Sequence, residues 1–171
     1  WDQENSKSWP FADGFQAEFN IPQRTCHAQL GDQIRIGLQA LLRAARTLYP
    51  KAKLTHKCVM EIPYKTMQSV SEREAGLGCS PSLNAYHKHN GPIVDDPRSL
   101  PFRFAGCHIH FGYGKLLVAE QKKRIRTMDA IAGPIITCLL NGLEDPRRRH
   151  FYGKAGEYRV PVHGIEYRVP P

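Results

Sequence analysis

In Ala105-Gly106-Cys107-His108-Ile109-His110-Phe111-Gly112, two histidines alternate with Cys107, Ile109 and Phe111. A period of two marks a β-strand, whose successive side chains point to opposite faces. One face is apolar and suits a core. The other carries two imidazoles one pleat apart, which can bind a metal or a phosphate-bearing ligand. Gly106 and Gly112 bracket the pair and leave room for a ligand or a neighbouring backbone. A surface strand with two water-facing histidines gives the same pattern, so the rest of the chain has to decide.

Downstream, a four-residue string occurs twice, as Glu157-Tyr158-Arg159-Val160 and Glu166-Tyr167-Arg168-Val169. Each copy puts Glu and Arg on one face and Tyr and Val on the other. Pro161-Val162-His163-Gly164 between them reads as a turn. A hairpin would gather Glu157, Arg159, Glu166 and Arg168 on one surface. Four such charges can pair across strands. Guanidiniums beside a carboxylate are also what a phosphate and its metal require.

Upstream, Phe15, Ala17, Phe19 and Ile21 alternate with Gln16, Glu18 and Asn20. This predicts a strand over 15–21 with Glu18 central on its polar face. A single glutamate there reads equally well as a solvated side chain. Residues 1–14 are polar and read as irregular. From His27 to Leu48, Ile34, Leu38, Leu41, Leu42, Ala45 and Leu48 fall at helical spacing, with Arg35, Gln39, Arg43 and Arg46 as a solvated side. A short strand is expected within Lys57–Ile62 and a short helix over Gln68–Glu74. Gly76 to His87 mixes turn residues with amide, hydroxyl and aromatic groups, as a ligand-contacting loop would, with Asn84 and Tyr86 as candidate substrate contacts; an ordinary connecting loop reads about equally well. Arg103 receives no role from its spacing. A second helix is expected from Leu116 to about Ala132, kinked or broken by Gly133-Pro134, with another apolar helical piece from Pro134 to Leu140. The expected class is α+β.

The 171 residues suit a single domain over 1–171. No apolar run approaches a membrane span. The net charge of +8 comes from 24 Lys+Arg against 16 Asp+Glu and favours anionic partners. The basic clusters, Lys122-Lys123-Arg124 with Arg126 and Arg147-Arg148-Arg149, are not interleaved with aromatics as a single-strand nucleic-acid platform would be. Five scattered cysteines without a C-x-x-C pair argue against a zinc ribbon and for free thiols in a reducing, cytoplasmic setting. The chain opens on Trp1 and closes on Pro170-Pro171 directly after a strand-like run, so both ends read as cut from a longer chain.

Five motifs in one order carry a family resemblance: Ala17-Glu18-Phe19-Asn20, Gly78-Cys79-Ser80-Pro81-Ser82-Leu83-Asn84-Ala85, Gly106-Cys107-His108-Ile109-His110, Tyr152-Gly153-Lys154-Ala155-Gly156-Glu157-Tyr158-Arg159, and Gly164-Ile165-Glu166-Tyr167-Arg168. Together they resemble the phage-type COOH·NH2 ligases, amidoligases with the fold of glutamine synthetase and glutamate–cysteine ligase. The resemblance runs from about Phe15 to Arg168, with gaps at 50–75 and 88–102. It implies a curved, mainly antiparallel sheet backed by helices, with ATP and Mg2+ or Mn2+ on its concave face. It implies that Glu18, His108 and Glu166 bind metal and that His110 neighbours the nucleotide. Arg159 and Arg168 resemble the arginines that hold phosphate and substrate carboxylate, and Lys154 and Arg149 would add to them. It implies carboxylate-bearing and amine-bearing substrates such as amino acids or peptides, and, for a phage-encoded protein, the host cytoplasm. The family's acidic motif ahead of the Glu18 strand has no equivalent here, since Asp2, Glu4 and Asp13 stand in no similar context. Residues before Trp1 are expected to carry it.

The chemistry matches these residues. A carboxylate is a poor acyl donor, so such ligases phosphorylate it and let an amine attack the acyl phosphate. That needs charge stabilisation more than a protein nucleophile. The sequence has no Gly-rich P-loop. Two other readings stay open at this point. A metallohydrolase would use His108, His110, Glu18 and Glu166 without ATP. A basic nucleic-acid-binding phage protein would lose affinity steeply with salt and would need neither glutamate.

Overall fold

The computed structural model describes residues 10–76, 82–87, 94–151 and 153–170. They form an α+β arrangement of antiparallel strands with four α-helices. The chain divides into two compact units. The first comprises residues 1–55 and 70–78, the second 56–69 and 79–171. Among the described residues no helix is long and apolar enough to cross a membrane.

In the first unit, β1 (Pro10–Asp13) and β2 (Gln16–Phe19) form an antiparallel hairpin in which Asp13 faces Gln16. The two-residue connection needs a positive φ, which Gly14 supplies at +57°. Helix α1 (His27–Leu48) occupies the expected span. Its Gly37 lies against the Phe19 ring. Ile34, Leu38 and Leu48 of its apolar side stay largely exposed.

Residues 71–75 close as a turn rather than continuing a helix. The Ser71 amide and hydroxyl donate to Glu74 Oε2 at 2.9 and 2.8 Å, and the Glu74 amide donates back to Ser71 Oγ at 3.2 Å. The expected helix over 68–74 therefore lies elsewhere.

It is α2 (Tyr64–Ser69), in the second unit. Pro63 precedes its first residue, its carbonyl accepts the Met67 amide, and the Met67 side chain is buried. Strand β3 (Val59–Glu61) pairs with β5 (Phe102–Phe104). Arg103, at the centre of β5, is buried and donates to the carbonyls of Leu100 and Phe102.

The main sheet of this unit has the order β4-β7-β8-β6, from β4 (Leu83–Asn84), β6 (Ile109–Gly112), β7 (Glu157–Arg159) and β8 (Gly164–Tyr167). Every pairing in it is antiparallel. Leu83 and Asn84, expected in a loop, are drawn into this sheet because they pair with Tyr158 and Glu157. The expectation of one sheet holds for the strands around His110, Arg159 and Glu166. It fails for the Glu18 strand, which pairs with Pro10–Asp13, a stretch read as irregular.

Both tyrosines of the repeated string and Val169 lie in the core, while Val160 of the first copy stays exposed. Tyr158 and Tyr167 lie opposite each other and pack with Ala85, Ile125, Ile165 and Val169. Helix α3 (Val118–Leu139) supplies Ile125, and its Asp129 accepts a 2.8 Å hydrogen bond from the Tyr167 hydroxyl. Pro134 sits inside this helix instead of ending it. Proline removes one amide donor and crowds the carbonyl four residues back. Here that part of the helix faces solvent, with Ile131, Ile135 and Leu139 all exposed, so water can serve the displaced carbonyl. Thr137 Oγ1 also ties back to the Gly133 carbonyl at 2.9 Å.

The last helix, α4 (Arg148–Phe151), lies in the arginine run. Arg148 is fully buried. It donates to the carbonyls of Ala105 and Pro170 at 2.8 and 2.7 Å and pairs with Glu144 at 2.9 Å. This clamp fastens the end of the chain beside β6.

Candidate active site

The register of the main sheet assembles the site. Glu166 on β8 stands directly across from His110 on β6 and from Arg159 on β7. A row across three antiparallel strands puts all three on one face. Arg168 lies two residues beyond Glu166 and returns to the same face. His108 stands just ahead of β6, two residues before His110.

Glu166 is the hub. Its side chain is only 4% exposed. Arg159 grips it with a fork, Nη2 to Oε1 at 2.6 Å and Nε to Oε2 at 3.0 Å. His108 Nδ1 lies 3.0 Å and Arg168 Nε 3.3 Å from Oε1. Arg168 itself is buried, and its Nη1 donates to Ser82 Oγ at 2.9 Å. Burial alone would raise the Glu166 pKa. The hydrogen bonds from His108 and Arg159 outweigh it and hold the carboxyl down at about 2. Glu166 is therefore an anion across the physiological range.

One ligand-capable atom from each of His108, His110 and Glu166 can be chosen so that all lie within 4.8 Å of one another. Two imidazoles and a carboxylate at that spacing fit one divalent cation. The His110 pKa is lowered, first by partial withdrawal from water, against the opposing pull of Glu166. A lowered pKa keeps the imidazole neutral and able to ligate. A bound cation would share Glu166 with Arg159, and Oε2, which takes only the Arg159 Nε bond among the contacts above, is the less crowded oxygen.

The hub is a single carboxylate already matched by guanidiniums, so the case for a cation rests on the imidazoles.

The other sequence candidates lie as follows. Glu18 is half-buried on β2 in the first unit, opposite Phe11. Lys154 is exposed in the turn before β7, where its carbonyl accepts the Glu157 amide. Arg149 pairs with Glu144 at 2.7 Å and donates to the carbonyls of Gly153 and Val169, so its described contacts belong to the clamp. Asn84 serves the fold. Its amide donates to the Ala155 carbonyl at 3.0 Å and its Oδ1 accepts the amides of Tyr86 and His87. The Tyr86 ring is covered by the Arg126 guanidinium at 5.3 Å. Residues 78–81 and Tyr152, parts of two motifs, lie outside the described residues.

One residue at the site received no role from the sequence. His163 Nε2 lies 3.0 Å from His110 Nδ1, with the rings 5.2 Å apart. A histidine in a turn gives no periodic signal. Only the cross-strand register brings it to His110.

A family model described as phage phiEco32-like COOH.NH2 ligase-type 2 matches residues 98–171. No curated protein and no solved structure matches the chain. The matched segment contains β6, β7 and β8, and so His108, His110, Arg159, His163, Glu166 and Arg168. Through this segment, the one that builds the candidate site, the chain is similar to the phage-type COOH·NH2 ligases.

Proposed function

We propose that the chain performs ATP-dependent ligation of a carboxylate to an amine through an acyl phosphate, on a glutamine synthetase-like sheet. One observation carries this reading. Within the matched segment, His108, His110 and Glu166 converge to within 4.8 Å, beside the guanidiniums of Arg159 and Arg168. Imidazoles and a carboxylate hold a cation, while a guanidinium fork recognises phosphate or carboxylate oxygens.

In this reading Glu166 and His108 hold a divalent cation, with His110 as third ligand. Imidazole is a softer donor than water or carboxylate, so Mn2+ suits the set better than Mg2+. A bound nucleotide with its cation supplies the phosphoryl group. The Arg159 side chain is about one-third exposed, so an arriving anion can reach it and compete with Glu166 for its donors. Arg168, anchored on Ser82, keeps a second positive charge fixed behind the carboxylate. Such preorganised charge is what phosphoryl transfer to a carboxylate and collapse of the amine adduct demand.

The test uses the full chain with ATP, Mn2+ or Mg2+, and a panel of amino acids and short peptides, read by mass spectrometry. The expected result is an amide product that forms only with ATP present. Bond cleavage without ATP would favour a metallohydrolase and overturn the ligase.

A further inference from the structure

We propose that His163 is a positioning residue that sets the tautomer of His110 and thereby makes His110 a metal ligand. The inference rests on the cation site proposed above and goes beyond it.

The hydrogen bond between His110 Nδ1 and His163 Nε2, at 3.0 Å, can run in two directions. If His163 donates, the neutral His110 ring must carry its proton on Nε2, and neither of its nitrogens has a lone pair left for a cation. If His110 Nδ1–H donates, its Nε2 lone pair is free to ligate. Cation binding through Nε2 therefore requires His163 to be the acceptor at Nε2, with its own proton on Nδ1. An outer partner that orients an imidazole and fixes its tautomer is a general feature of metal-binding histidines.

The fold holds His163 for this purpose through its main chain. Its carbonyl accepts the amides of Tyr113 and Gly114 at 3.1 and 3.2 Å. The next residue, Gly164, has φ +151°, and a Cβ there would run into the backbone at Phe111 and Tyr113. The turn between β7 and β8 is thus pressed onto the end of β6. Replacing the His163 side chain leaves these backbone ties in place.

The experiment follows Co2+ binding to the full chain by its visible absorption, which reports the ligand set independently of turnover. His163→Ala is expected to weaken Co2+ about 10- to 100-fold. His163→Gln is expected to recover most of that loss, because the amide oxygen accepts the His110 proton. His163→Lys, a donor only, is expected to stay as weak as His163→Ala. Unchanged affinity in His163→Ala, or His163→Gln as weak as His163→Ala, overturns the tautomer role while the cation site stands. Absence of Co2+ binding in the unaltered chain, or binding that Glu166→Gln leaves unchanged, overturns the cation site and this inference with it.

Discussion

Two glutamates in the second unit each sit between two arginines. Glu144 pairs with Arg148 at 2.9 Å and Arg149 at 2.7 Å. Glu166 pairs with Arg159 at 2.6 Å and Arg168 at 3.3 Å. The difference lies in what else surrounds them. Around Glu144 the guanidiniums end on main-chain carbonyls of Ala105, Gly153, Val169 and Pro170. Around Glu166 the remaining neighbours are imidazoles and a hydroxyl. Carbonyls at fixed positions make the first cluster a clamp. Side chains that could turn to a cation or an anion make the second a candidate site. An Arg–Glu–Arg set alone therefore does not single out a phosphate site; what separates the two clusters is the chemistry of their further neighbours.

The largest effect expected from this contrast is on stability. Arg148→Ala would leave Glu144 and the carbonyls of Ala105 and Pro170 without their buried guanidinium, and breaking such a buried pair costs about 3–5 kcal/mol. A denaturant melt checks this. A loss below about 1 kcal/mol would mean that Glu144 is as adaptable as Glu166. Arg168→Lys comes next, since an ammonium cannot reach Ser82 and Glu166 together in the geometry of the fork. Ligation should fall by about 100-fold, in line with loss of one preorganised charge donor. Wild-type-like rates would move Arg168 to the clamp side of the comparison.

The third effect is smaller and depends on pH. The folded-state pKa of Glu166 is lowered from 4.5 to about 2. Its stabilising contribution is therefore complete above pH 4.5 and is lost as pH falls towards 2. The difference in melting temperature between the unaltered chain and Glu166→Gln should be constant above that window and shrink below it. A difference that grows on acidification would contradict the assigned ion pairs.

What could be read in advance follows from how local each signal is. The alternation in His108–Phe111 and in the two Glu-Tyr-Arg-Val strings reports strand faces directly. It placed Glu166, Arg159 and Arg168 on one surface and the tyrosines in the core. The 3.6-residue period of α1 was equally legible. The partner of β2 was not, because Pro10–Asp13 is only four residues long and carries little alternation. Pro134 left a kink or a break open, because whether a proline breaks a helix depends on what can satisfy the displaced carbonyl; here solvent can, and the helix runs on. The resemblance drew Arg149 to the site; its described partners are Glu144 and carbonyls that the chain brings back only through the fold. His163 depended on register and so was invisible as a pattern.

The cation site proposed at Glu166, His108 and His110 is open to direct measurement. Mn2+ binding to the full chain, followed by electron paramagnetic resonance, tests it most directly. The unaltered chain and Glu72→Gln, a change at an exposed residue of the first unit, should bind Mn2+ alike. Glu166→Gln should lose more affinity than the roughly 10- to 100-fold that an outer partner commands. Equal Mn2+ binding by Glu166→Gln and the unaltered chain would contradict a cation site at Glu166.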